Sequence, residues 1–125
     1  MPDHTLAVVA DEPLLTLRFP FDVYQLRAGQ RRRLEDFVRE TWPRLPRKPL
    51  LVVGYTDDIG PQEYNDRLAR RRAESVARAL RDLGISSVRI EARAKCCYVG
   101  DNETREGRAR NRRAEIHLYQ PDGKE

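Results

Sequence analysis

No stretch of this 125-residue chain approaches the roughly 20 consecutive apolar residues that a membrane-spanning helix needs. Lysine is scarce. Lys48, Lys95 and Lys124 are the only three, so arginine supplies nearly all the positive charge. The two histidines, His4 and His117, have no evident catalytic partner, and no Ser-His-Asp set or P-loop is present. The chain therefore reads as a non-enzyme. Cysteine occurs only as the adjacent pair Cys96-Cys97, without the further ligands a zinc site requires, so neither metal nor cofactor is expected. Neighbouring Cα atoms lie closer than an ordinary disulfide spans, so two free thiols are expected. An RNA-type aromatic motif is missing too. The opening residues, MPDHTLAVVADEP, hold a short apolar run with no basic region before it and are not expected to be a signal peptide.

What is present is charge and periodicity. The net charge is +4 and the isoelectric point near 9.4, a balance compatible with nucleic acid, another anionic polymer or a membrane surface. Acids are interleaved with the arginines, however, and most arginines fall on outer helix faces. Polyanion binding through outward residues such as Arg70, Arg71 and Arg78 is therefore only a third reading, and no nucleic-acid partner is expected. At this length the chain forms one domain. Residues 1–12 are read as a flexible lead, 13–120 as the domain and 121–125 as a tail.

Leu15, Leu17 and Phe19 alternate with polar residues, as in a half-buried strand that Pro20 ends. A first helix is predicted over Arg27–Trp42, with Leu34, Phe37, Val38 and Thr41 inward and Pro43 stopping it. Trp42 is placed as a lid on the core edge. Leu50–Val53 is a continuous apolar strand, which implies a central position. Val88, Ile90 and Ala92 mark a third strand. Ala114, Ile116 and Leu118 mark a fourth, with Glu115, His117 and Tyr119 on its polar face.

The most informative stretch runs from Leu50 to Gly84. Its helix, predicted over Gln62–Leu83, places Leu68, Ala69, Ala73, Val76, Leu80 and Leu83 on one face. Asn65 and Arg72 interrupt that face, seven residues apart and so stacked along one line. A guanidinium turned towards a core requires partners. The expected partner is an acid at the end of the preceding strand, where Asp57 and Asp58 stand. Asp57 also lies just before the helix, whose N-terminus favours negative charge. This gives a small polar pocket of carboxylate, amide and guanidinium. Two readings stay open: an internally satisfied ion pair with an Asn cap, or a site for a small zwitterion in which Arg72 takes a carboxylate and Asp57 an ammonium.

These residues resemble the OmpA-like domain, the peptidoglycan-binding module of OmpA, Pal and MotB proteins. The chain carries Gly54-Tyr55-Thr56-Asp57, then Gly60, then Tyr64-Asn65, Leu68-Ala69, Arg72-Ala73 and Val76. Later it carries Asn102-Glu103-Thr104-Arg105-Glu106-Gly107-Arg108-Ala109-Arg110-Asn111-Arg112-Arg113-Ala114. The resemblance spans about Leu15 to Leu118. It implies an α+β fold, βαβαβ then a short helix and β, with a mixed four-stranded sheet and two main helices on one face. It also implies a non-catalytic wall anchor that holds the diaminopimelate of a peptidoglycan stem peptide, within a cell-envelope parent facing the periplasm. In that reading Asp57 pairs with the ammonium, Arg72 with the carboxylate, Asn65 fixes orientation, and Thr56 and Asp22 line the rim. Phe21, Arg112 and Arg113 are further candidates, the last two partly as ties between loop and sheet, with one arginine near the pocket mouth. The family pattern is altered where Tyr55 replaces His and Ala69 replaces Ser. It is altered again where Ala92, Cys96 and Tyr98 stand in place of a Gly, an acid and a Pro. A scaffold that has lost its wall ligand is the alternative.

Overall fold

A computed structural model describes residues 12–120. Almost all of the predicted lead, with His4, and the predicted tail, with Lys124, lie outside the described residues. The elements run β1 (Leu15–Arg18), α1 (Ala28–Asp36), β2 (Leu50–Gly54), α2 (Gln62–Asp82), β3 (Val88–Ala92), α3 (Arg105–Asn111) and β4 (Arg113–Leu118). The strands form one sheet in the order β1-β4-β2-β3. β2 and β3 are parallel, and α2 makes the crossover that a parallel pair requires. β4 is antiparallel to both β1 and β2. This is the expected α+β fold with a mixed four-stranded sheet.

All five residues of β2 are buried, because the strand is covered on both faces. On one face Leu17, Leu50, Val52, Ala114 and Ile116 pack with Leu34 and Phe37, and with Ala73, Val76 and Leu80 of α2. Trp42 packs at the margin of this cluster, as its reading as a lid implies. Leu51, Val53 and Tyr55 form a second, smaller cluster.

That second cluster corrects the reading of β4. Glu115 lies opposite Val53 and His117 opposite Leu51, so both belong to this covered face and are buried rather than solvated. Glu115 draws on both of its neighbours, while His117 Nδ1 has no partner among the described residues. Arg113 Nε donates to Glu115 Oε2 at 2.6 Å, and His117 Nε2 lies 2.9 Å from Glu115 Oε1. With Glu115 ionised, its oxygen can only accept, so Nε2 is the donor of that contact. Burial pushes the Glu115 carboxyl up, but hydrogen bonds from His117 and Arg113 and the charge of Arg113 outweigh it and hold the group below its usual value. A carboxyl depressed in the folded state stabilises the fold above its unfolded pKa, and that contribution is lost as pH falls through the folded value. Thermal melts of wild type should therefore fall more steeply below pH 4.5 than those of Glu115→Gln. Parallel acid limbs would contradict this assignment.

Three further readings are revised. The first helix keeps α geometry only to Asp36, passes through a π turn at Phe37–Thr41 and ends in a 3-10 turn at Trp42–Arg44. Pro43 sits inside that last turn, where a missing N–H is tolerated. Leu83 is exposed at the C-cap of α2, while Gly84 follows it at φ 103°, the left-handed position a helix end favours. Cys96 and Cys97 are joined in a disulfide, not free. Their turn is closed by Cys96 N donating to Ala94 O, and Cys97 adopts φ 59°, which brings the two sulfurs together.

Candidate functional site at the strand–helix junction

The site exists because α2 lies unusually close to the end of β2. A Cβ on Gly54 would stand 1.9 Å from the carbonyl oxygen of Ala69, so only glycine admits this approach. The chain leaving β2 is thereby pressed beneath the helix, and Tyr55, Thr56 and Asp57 are all buried. Thr56 Oγ donates to the carbonyl of Asp57 at 2.8 Å. Thr56 therefore braces the loop from below and is not a rim residue. Asp57 Oδ1 accepts from Ile59 N at 3.1 Å, an Asx turn that aims the carboxylate.

Asn65, 1% exposed, is turned inward as its place on the apolar face requires. Its Nδ2 donates to the carbonyls of Ile59 (2.8 Å), Pro61 (3.2 Å) and Gly60 (3.3 Å), stapling the loop to the first turn of α2.

Arg72 is fully buried, but its partner is not Asp57. Nε donates to Val23 O at 2.8 Å, Nη1 to Tyr55 O at 3.1 Å and Nη2 to Pro20 O at 3.1 Å. The guanidinium joins the β1–α1 loop to the β2–α2 loop and also lies 5.3 Å from the Phe19 ring centroid. Burial and the nearby charge of Arg112 lower its pKa to about 10, with Asp57 and Asp22 working in the opposite direction. It remains a cation at neutral pH. Three of its five N–H groups serve carbonyls, so its first duty is to shape the site.

Arg112 takes the place expected of Arg72. Its Nη1 lies 3.5 Å from Asp57 Oδ2, and its Nε donates to Phe19 O at 3.0 Å. Unlike Arg72, it retains some solvent exposure. Arg113 leaves the site altogether. It sits on the second sheet face, 3.8 Å from the centroid of Tyr55, with Nη2 on Cys97 O. Asn111 ties the preceding loop, accepting from Val99 N and Gly100 N and donating to Gly100 O and Asn102 Oδ1. Asp22 is exposed at φ 63°, and Phe21 beside it is 57% exposed.

The structure thus brings together one carboxylate, Asp57, and two guanidiniums, Arg72 and Arg112, beneath the loop that carries Asp22. Asp57 keeps capacity. Each of its oxygens has one partner, and the Arg112 contact is long for an ion pair.

A family model described as the OmpA family matches residues 18–112, which include every residue of this site. The chain belongs to the OmpA family. The OmpA-family relatives include outer membrane protein A of Bordetella avium, 40% identical over 102 residues that cover 80% of this chain and 52% of that protein. This chain spans about half the length of such curated relatives. Among solved structures, the peptidoglycan-associated lipoprotein of Burkholderia pseudomallei superposes with TM-score 0.74 at 31% identity, covering 84% of this chain and 89% of that one. The cell wall anchor of the T6SS from Pseudomonas aeruginosa superposes with TM-score 0.66 at 29% identity, covering 84% and 79%.

Proposed function

We propose that this OmpA-family domain is a non-catalytic peptidoglycan-binding module that anchors its parent to the cell wall, facing the periplasm, by holding the diaminopimelate of a stem peptide. The observation that carries the reading is the Asp57 carboxylate. It is 3% exposed, aimed by its own Asx turn, and only loosely held by Arg112. An ammonium on Asp57 displaces that long contact, and Arg112 turns to the ligand's carboxylate. Arg72 supports the same carboxylate with its charge and its two remaining N–H groups. Asn65 and Thr56 keep the loop in place, and Asp22 stands at the rim. The printed descriptions of two neighbours, a peptidoglycan-associated lipoprotein and a cell wall anchor, support the same ligand class.

A carboxylate meeting an ammonium out of water is a charge-assisted pair. Removing its charge should weaken binding by about 2 kcal/mol or more, roughly 30-fold. Calorimetric titration with a diaminopimelate muropeptide should show this loss for Asp57→Asn. Unchanged affinity would remove Asp57 from the site. One observation favours a second reading, a scaffold without a wall ligand: Arg72 is spent largely on backbone carbonyls. That reading expects no muropeptide binding by wild type.

A further inference from the structure

Beside the Asp57 site, across the β1–α1 loop, lies a groove of about 450 Å³ lined by Asp22, Tyr24, Tyr64, Arg67, Leu68 and Arg71. A few residues of chain separate the two, and Asp22, at the rim of the site, also lines the groove. Arg72 bonds to the carbonyls of Pro20 and Val23, and Asp22 stands between them. Arg67 and Arg71 are one helical turn apart and project side by side into the groove. Neither has a carboxylate partner among the described residues. Two like charges in that spacing repel one another, and a bound anion relieves the repulsion. Arg71 lies 5.3 Å from the Tyr24 ring centroid, and such stacking on a phenol fixes a guanidinium plane while leaving its N–H edge free. Asp22 takes a left-handed backbone conformation, which aspartate tolerates in a turn.

We infer that this groove is a second carboxylate subsite, in which Arg67 and Arg71 take the carboxylate of the stem-peptide residue next to diaminopimelate. The inference rests on the proposed wall-binding reading. It adds a specificity for the peptide beyond the diamino acid, with Tyr24 and Tyr64 flanking the peptide chain.

The test compares three ligands by calorimetry: free diaminopimelate, a tripeptide in which a γ-linked glutamate with a free α-carboxylate precedes diaminopimelate, and the same tripeptide with that carboxylate amidated. One added guanidinium–carboxylate interaction at a partly open site is expected to tighten the acid tripeptide about tenfold over free diaminopimelate. The amidated tripeptide should lack that gain. Arg67→Gln/Arg71→Gln should abolish the gain and leave affinity for free diaminopimelate within about twofold, since neither residue touches that pocket. Arg70→Gln/Arg78→Gln removes the same charge from exposed positions on the same helix and should keep the gain. Wild type that binds diaminopimelate but shows equal affinity for all three ligands would overturn the subsite alone. So would loss of the gain in both double variants, which would reduce it to a general field effect. Wild type that binds none of the three would overturn the wall-binding reading and the subsite with it.

Discussion

Replacing Arg72 by Met is expected to lower the stability of this domain by on the order of 3 kcal/mol and its Tm by on the order of 10 °C. Two effects oppose each other. Burying a guanidinium is unfavourable in itself, as its lowered pKa shows, and the nearby charge of Arg112 adds to that. Removing the side chain relieves both. Against this stand the carbonyls of Val23 and Tyr55, which lose their donor at once, while that of Pro20 keeps only the N–H of Val23. A buried carbonyl without a partner costs about 1–3 kcal/mol, and the buried Tyr55 carbonyl together with the partly buried one of Val23 outweighs the relief. The two loops that frame the site also lose the group that joins them. Arg72→Lys should fall between, because an ammonium keeps the charge but not the planar fork that reaches three carbonyls. Equal melting of wild type and Arg72→Met would show that the loops are held together by something else.

Gly54→Ala should be at least as damaging. The new methyl would stand 1.9 Å from Ala69 O and 2.8 Å from Ala69 C, which are helix backbone atoms and cannot rotate aside. α2 must move away from β2, loosening the packing of Ala73 and Val76 and withdrawing Arg72 from Tyr55 O. Overpacking of this kind costs about 1–3 kcal/mol when side chains can adjust, and more when the obstacle is backbone, so about 3 kcal/mol or more is expected. Gly29→Ala supplies the contrast. Gly29 lies within α1 with nothing within 4 Å of its would-be Cβ, so the change should be stabilising by about 0.5–1 kcal/mol. Denaturant midpoints moving in opposite directions would bear out both. A Gly54→Ala variant as stable as wild type would mean that the helix is free to sit elsewhere.

The two interruptions in the apolar face of α2 led directly to the site. Asn65 and Arg72 are inward, as helical spacing requires, and the pocket lies where the strand meets the helix. The carbonyl partners of Arg72 escape a sequence reading because backbone carbonyls leave no mark in a sequence, whereas an aspartate three residues beyond a strand end does. The separation of Arg112 from Arg113 is legible in the strand pattern. Ala114 faces the helices, so by strand alternation Arg112 shares its side and Arg113 takes the other. The burial of Glu115 and His117 had a signal too. An uninterrupted apolar β2 implies two covered faces, so polar residues on the neighbouring strand cannot all be solvated. The Cys96–Cys97 disulfide had none, since it depends on a left-handed backbone at a non-glycine residue.

The central claim is that Asp57 and the two guanidiniums receive a molecule carrying an ammonium and a carboxylate at a fixed separation. Co-sedimentation with purified diaminopimelate-type sacculi tests it most directly, with free diaminopimelate or Nα-acetyl-lysine amide as competitor. The blocked lysine offers an ammonium with no carboxylate beside it, as a lysine-type stem does. The domain should pellet with the sacculi, be released by diaminopimelate and stay bound in the same concentration of the blocked lysine. A domain that remains in the supernatant, or that either competitor releases equally, would contradict the account.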